Sequence, residues 1–123
     1  MNGSRFFLDT NIILYILAGD KTIANYLFKK VLYISIITEI ELLSYPSITP
    51  NDAKEIENFL KEFRIVSIDQ SIKELTIQIR KKYSHKVPDS IIVATSINLG
   101  IPLVTADKAF KKISEIAIDF YNK

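Results

Sequence analysis

Short apolar runs alternate along this chain with stretches of helical period. Residues 5–8, Arg-Phe-Phe-Leu, form an apolar run closed by Asp9, which predicts a short buried strand. Asp9 or Thr10 is placed to cap a helix running to Ala18, with Gly19 as its stop. A second helix is predicted over 20–29. Val31-Leu32-Tyr33-Ile34 reads as a second strand with Ser35 at its end, and 37–45 as a helix stopped by Pro46. Thr49-Pro50-Asn51-Asp52 joins a hydroxyl cap, a proline at the first helical position and an acid in the first turn. Ile56, Phe59, Leu60 and Phe63 follow at i, i+3, i+4 and i+7, an amphipathic helix. Residues 65–68 read as a third strand, and Asp69 begins a helix with Ile72, Leu75, Ile79 and Tyr83 on one face. After a loop at 84–87, Pro88-Asp89 opens an almost wholly apolar helix over 90–99, ended by Gly100 and expected to be buried on most sides. A fourth strand at 101–105, a short helix at 107–112 and a last edge strand at 117–120 complete the pattern. This alternation predicts an α/β fold, an open, mostly parallel sheet of four or five strands covered by helices on both faces. No repeat or linker interrupts it, and a single domain over 1–123 is expected.

Composition narrows the chemistry. Apolar residues make up 48% of the chain and proline plus glycine only 7 residues, which excludes disorder. There is no cysteine, so disulfides, thiolate nucleophiles, Cys-ligated zinc and iron–sulfur clusters are excluded. The one histidine, His85, excludes chemistry that needs a histidine pair. Three glycines cannot build a glycine-rich phosphate loop. Carboxylates, hydroxyls, amides and Lys/Arg remain. No apolar stretch reaches the ~18–20 residues of a membrane span. The Phe6-Phe7-Leu8 run meets Asp9 too soon for a signal peptide, so a soluble cytoplasmic protein with no membrane association is expected. Residues 1–62 hold 6 basic and 8 acidic side chains, whereas 63–123 hold 10 basic and 6 acidic. The basic second half is either ordinary solvated surface or a side that faces a polyanion.

Four acids sit among apolar neighbours. Asp9 ends the first strand, Asp107 follows the fourth, Asp89 begins the most apolar helix, and Glu41 lies in Ile40-Glu41-Leu42-Leu43. In an open α/β sheet, ligands bind outside the carboxyl ends of the strands, near the switch in strand order. Each acid alone reads as readily as a cap or turn residue. Four converging on one rim would repel one another, by about 4 kcal/mol for a pair at ~4 Å and an effective dielectric of 20. A bound divalent cation is the usual resolution. An all-oxygen site favours Mg²⁺ or Mn²⁺, which can bind phosphate oxygens and activate a water for in-line attack.

Four stretches then match a known pattern: Phe7-Leu8-Asp9-Thr10-Asn11, Ser35-Ile36-Ile37-Thr38-Glu39-Ile40-Glu41-Leu42, Pro88-Asp89-Ser90-Ile91-Ile92-Val93-Ala94-Thr95 and Leu103-Val104-Thr105-Ala106-Asp107-Lys108-Ala109-Phe110. In order and spacing the chain resembles PIN domains, and among them the VapC-like toxins of toxin–antitoxin pairs. The resemblance implies a three-layer α/β/α sandwich and a metal-dependent endoribonuclease. It further implies Asp9, Glu41, Asp89 and Asp107 as catalytic metal ligands for Mg²⁺ or Mn²⁺, and Asn11 and Thr105 as supports of that site. It also implies an RNA substrate, a small antitoxin partner and a homodimer. The family pattern has one acid after the second strand, whereas this chain offers Glu39 and Glu41, about 200° apart on a helix. Periodicity leaves that choice open, and the family register favours Glu41. The alternatives are a PIN-fold nuclease of RNA processing or single-strand DNA cleavage, and a non-catalytic nucleic-acid-binding module. A haloacid-dehalogenase-type phosphatase would need a second Asp where this chain has Asn11.

Arg80, Lys81, Lys82 and Lys86 form the densest basic run, just before Asp89, with Lys108 beside Asp107. They read either as solvated helix ends or as contacts for RNA phosphates. His85 in the same loop is expected to be solvated. Tyr15, Tyr26 and Phe28 read as core or dimer packing rather than base stacking.

Overall fold

Phe6 and Leu8 point to one face of the first strand and Phe7 to the other, and this period of two divides the core. The computed structural model describes residues 4–123; the expectation about a leader segment rests partly on Met1–Gly3, outside the described residues. β1 (Arg5–Leu8) lies at the centre of a five-stranded sheet with β2 (Val31–Ser35), β3 (Arg64–Val66), β4 (Leu103–Thr105) and β5 (Ile118–Phe120). The order is β3-β2-β1-β4-β5 and every pairing is parallel. On one face Phe6, Leu8 and Val104 pack against α1 (Thr10–Leu17), α2 (Lys21–Leu27), α3 (Ile36–Ser44) and α4 (Pro50–Leu60), through Ile12, Ile13, Ile23, Leu27, Leu42, Ile56 and Leu60. On the other, Phe7 and Leu103 meet Ile79 of α5 (Gln70–Tyr83) and Ile92 and Val93 of α6 (Val87–Leu99), with Phe110 from a 3-10 helix, Lys108–Lys112. The result is the expected three-layer α/β/α sandwich.

The expected helix over 90–99 is the most enclosed element, with every residue from Ser90 to Ser96 buried. Its hydroxyls are all satisfied. Ser90 donates to the Lys86 carbonyl (2.9 Å), Thr95 to that of Ile91 (2.6 Å) and Ser96 to that of Ile101 (2.7 Å). Gly100 ends α6 at φ +69°, the left-handed position that favours glycine.

Several boundaries differ from expectation. α6 starts at Val87, because Pro88 in the first turn has no N–H to satisfy and its fixed φ suits a helix. β3 is Arg64–Val66 rather than 65–68, and Ile68 is left exposed. α4 ends at Leu60; Phe63 lies beyond it with its ring 5.0 Å from that of Phe59. On α5 the fully buried line is Ile72, Thr76 and Ile79, and Leu75 is only half-buried. Thr76 is admitted because its hydroxyl donates to the Ile72 carbonyl at 2.7 Å.

The edge strand β5 is tied back to the first half of the chain. Tyr121 N–H donates to the Thr105 carbonyl (2.7 Å), while the Tyr121 hydroxyl and Lys123 Nζ both donate to Asp20 at 2.9 Å. Asp20 also caps α2 through the N–H groups of Thr22 and Ile23. The Lys123 ammonium, above all, holds the Asp20 carboxyl down at about 2. The native carboxyl is thus more acidic than the unfolded one. Its stabilising contribution is complete above pH ~4 and is lost as pH falls towards 2. In thermal melts Asp20→Asn is therefore expected to melt below the parent at pH 6, with the gap closing as pH is lowered to 2. A gap that does not change with pH would show that Asp20 acts only as a neutral cap.

Candidate active site

After β1 the chain crosses towards β2, whereas β4 leads to β5 on the opposite side, so the strand order reverses between β1 and β4. A cleft of about 350 Å³ opens at this switch, lined by Asp9, Thr10, Asn11, Leu14, Glu41, Leu42, Tyr45, Asp89, Ile92 and Asp107. Asp9 follows β1 directly, and Asp107 follows β4 as the cap of the 3-10 helix. α6 precedes β4, so its N-terminal turn, carrying Asp89, starts at the rim where the strands end. Glu41 arrives one turn into α3, which leaves β2 with Ser35 as its cap. The four acids and Asn11 thus line one cleft. Glu39, the other acid of α3, is not among its lining residues.

The polar atoms form two chains of hydrogen bonds. Thr105, fully buried, donates its hydroxyl to Asp9 Oδ2 (2.7 Å) and accepts from the Asp107 N–H (3.1 Å), coupling both strand ends. Asp9 Oδ1 accepts from Thr10 N–H at 2.7 Å. Thr10 donates its one hydroxyl proton to Glu41 Oε1 (3.0 Å), so Thr38, 2.8 Å away, donates to Thr10. Thr10 and Thr38 therefore orient Glu41. Reading the sequence assigned Thr10 only a capping role; its position next to Asp9 was the available signal. Among the described residues, Asp89 accepts no hydrogen bond and is not the cap of α6, since Lys86 holds that position without a side-chain bond. The capping explanation therefore fails for Asp89 and holds only in part for Asp9 and Asp107, whose Oδ1 accepts from Ala109 N–H at 2.9 Å.

No lining residue of the cleft is basic. Burial pushes the Asp9 carboxyl up to about 6, and the negative charges of Asp89 and Asp107 add to the effect against its hydrogen bonds to Thr105 and Thr10. Asp89 is raised as well, first by burial and then by Asp107, while His85 and Lys86 oppose the rise. An acidic, oxygen-only donor set without a cation of its own fits a hard divalent ion. Among the described residues, no three acidic or histidine side chains stand close enough to ligate one ion together. Asp9, Glu41 and Asp107 accept hydrogen bonds from Thr105, Thr10 and Ala109, and their carboxylate oxygens keep further lone pairs beyond these bonds.

The basic residues do not line the cleft. Lys82 is engaged elsewhere, with its ammonium 2.8 Å from Glu115, which also accepts from the Tyr83 hydroxyl at 2.6 Å. Arg80 borders an apolar hollow on the α5–α6 face. Lys81 and Lys108 are exposed, and Lys86 is close enough to Asp89 to act on its carboxyl. His85 is not solvated as expected. It is buried between Tyr83 and Phe110, with ring centroids at 6.0 and 5.2 Å, and its Nε2 has no hydrogen-bond partner among the described residues. Aromatic packing outweighs hydration for this imidazole.

The raised Asp9 pKa has a definite sign. Between pH ~4 and ~6 the native state binds more protons than the unfolded chain, so metal-free stability falls as pH rises and the penalty is complete above ~6. Two pKa units correspond to at most ~3 kcal/mol. Asp9→Asn removes the charge but keeps only part of the hydrogen bonding, so a gain of about 1–2 kcal/mol is expected at pH 7.5 in EDTA, and little gain at pH 4. Urea denaturation checks this; equal stability of the two proteins at pH 7.5 would contradict it.

A PIN-domain family profile matches residues 6–116. No curated protein matches the sequence. Among solved structures, the fold is similar to a chain of a toxin–antitoxin complex from Klebsiella pneumoniae, with 27% identity, a TM-score of 0.81 and coverage of 93% of this chain and 97% of that one. A chain of VapBC2 from Rickettsia felis, bound to a DNA fragment from its promoter, gives 20% identity and a TM-score of 0.84 over 96% and 99% of the two chains. DNA-bound VapBC from Salmonella typhimurium gives 22% and 0.79 over 93% and 96%. With the profile spanning most of its length and this acid-lined cleft at the strand switch, the chain belongs to the PIN-domain family of nucleases.

Proposed function

We propose that this protein is an endoribonuclease, the toxin of a toxin–antitoxin pair, formed by one nuclease domain over 1–123. Its catalytic site is Asp9, Glu41, Asp89 and Asp107 holding Mg²⁺ or Mn²⁺. The observation that carries the reading is the cleft at the strand switch, which these acids line with no basic residue among them and where burial pushes Asp9 up to about 6. When bound, such an ion supplies Lewis-acid polarisation of the scissile phosphodiester and acidifies a water at neutral pH. The chain's own residues prepare that site. Thr105 orients Asp9, Thr10 and Thr38 orient Glu41, and Asp89 is free of competing hydrogen bonds. Asn11, exposed in the cleft with no side-chain hydrogen bond, is a support residue available to substrate.

The toxin role is supported by the likeness to the Klebsiella pneumoniae complex, and a small antitoxin is the proposed partner. Among the described residues, no helix is long and apolar enough to cross a membrane, and the cytoplasm is the proposed location. A homodimer is proposed through the α5–α6 face. There Ile68, Ile77 and Val87 are 43%, 49% and 48% exposed around a hollow that Ile91 and Arg80 also line. Lys81, Lys86, Lys108 and Arg80 are the proposed phosphate contacts, with Lys82 after release from Glu115.

RNA cleavage with and without EDTA tests the reading. Activity should vanish in EDTA and return with Mg²⁺ or Mn²⁺, and Asp9→Asn, Glu41→Gln, Asp89→Asn and Asp107→Asn should each be inactive. Glu39→Gln should keep its rate within a few-fold and its stability within ~0.5 kcal/mol. Full activity after exhaustive EDTA treatment overturns the metal mechanism, and an inactive Glu39→Gln beside an active Glu41→Gln overturns the assignment on α3. Replacing Arg80, Lys81, Lys82 and Lys86 together should flatten the salt dependence of RNA affinity by up to about one unit per lost phosphate contact. An unchanged slope places the RNA surface elsewhere.

A further inference from the structure

Tyr45 is an aromatic side chain that the fold leaves without a partner. It closes α3 in extended backbone (φ −71°, ψ 145°) and is 45% exposed. Its hydroxyl makes no hydrogen bond among the described residues, and its ring meets no other ring. The other tyrosines are all engaged. Tyr26 bonds Asp119, Tyr33 accepts from Arg5, Tyr83 bonds Glu115, Tyr121 bonds Asp20, and Tyr15 packs on Tyr121. A lone exposed aromatic is ordinary on a protein surface. The location of this one is informative, because it lines the same cleft as the four acids.

Two of the three helices that line the cleft share one layout. On α3, Glu41 precedes Tyr45 by four residues, one turn along the same side. On α1, Asn11 precedes Leu14 by three, and Leu14 is likewise 45% exposed. Polar groups therefore stand near the strand ends, with an aromatic and an apolar group about one turn (~5 Å) further out. Past Tyr45 the cleft continues into an apolar groove with Leu17, Ile56, Asp52 and Glu55. Asp52 and Glu55 repel a phosphate backbone in that groove, so it does not suit a run of nucleotides. A single base can enter its mouth, because every base has a π-face and stacking on an aromatic side chain is tolerant of sequence.

We propose that Tyr45 is the stacking platform for the nucleobase next to the scissile phosphate, with Leu14 bounding the other side of that base subsite. This rests on the ribonuclease reading above and names the residue that seats its substrate. Stacking of this kind contributes about 10- to 100-fold per base, enough to fix which phosphodiester faces the acids.

The test is a double-mutant cycle between protein and RNA. The cleavage position in a single-stranded RNA is mapped with the full chain and Mn²⁺, and oligonucleotides are then made with an abasic ribose on each side of it. On intact RNA, Tyr45→Ala and Tyr45→Leu should lower kcat/KM by about 10- to 100-fold and Tyr45→Phe should restore it to within a few-fold. One abasic substrate should slow the parent protein by a similar factor but slow Tyr45→Ala no further. The Mn²⁺-induced rise in melting temperature should be the same in all variants, which shows an intact fold and acid cluster. Equal loss by Tyr45→Ala on intact and abasic RNA would overturn the proposal in favour of a structural role. Unchanged kcat/KM would overturn it. A parent protein that cleaves no RNA overturns the ribonuclease reading itself, a result distinct from either.

Discussion

Keeping a carboxylate almost out of water at the end of the central strand is the constraint on which the rest of this structure depends. Asp9 is 5% exposed and directly follows β1, the middle strand of the five. Charge at that depth is costly unless hydrogen bonds or a counter-ion offset it. Thr105 and Thr10 offset part of it, and nothing basic in the cleft offsets the remainder. The buried Asp9 carboxylate is thus a cost to the native chain that protonation relieves.

That strain shapes the surroundings. The hydroxyls next to the acids each serve two partners. Thr105 bridges Asp9 and the Asp107 backbone, and Thr10 joins Glu41 to Thr38. β5 closes the far side by taking the Thr105 carbonyl, and Asp20, Tyr121 and Lys123 hold β5 in place. Alternating residues on β1 and β4 anchor both apolar layers, so the strand ends that carry Asp9 and Asp107 are fixed by packing on both faces. Rigid strands deliver the acids, and helix walls one turn further out carry the exposed Leu14 and Tyr45.

Much of this was legible in the sequence. Alternating apolar runs located all five strands, since short buried strands read as continuous apolar segments between turn signals. Thr49-Pro50-Asn51-Asp52 marked the start of α4, where the capping box forms as written. The four acids stood out because each interrupts an apolar context, and the motifs around them carried the PIN resemblance. Boundaries such as those of β3 and α6 were less legible, because end residues depend on which neighbours complete their hydrogen bonds.

Tertiary structure alone decided the remainder. Periodicity does not separate Glu39 from Glu41, and the family register only favoured Glu41; the orientation of α3 against Thr10 places Glu41 in the cleft. Lys82 in the last turn of α5 and His85 in the loop after it have nothing local to distinguish their fates, yet one pairs with Glu115 and the other is buried on Phe110, more than twenty residues away in each case. Tyr45 differs from the other tyrosines only in what the fold fails to bring near it. Composition and period determine which residues leave water and in what kind of element. The pairing of side chains distant in sequence is set by the packing of helices on the sheet, because that packing alone decides which polar groups share a desolvated space.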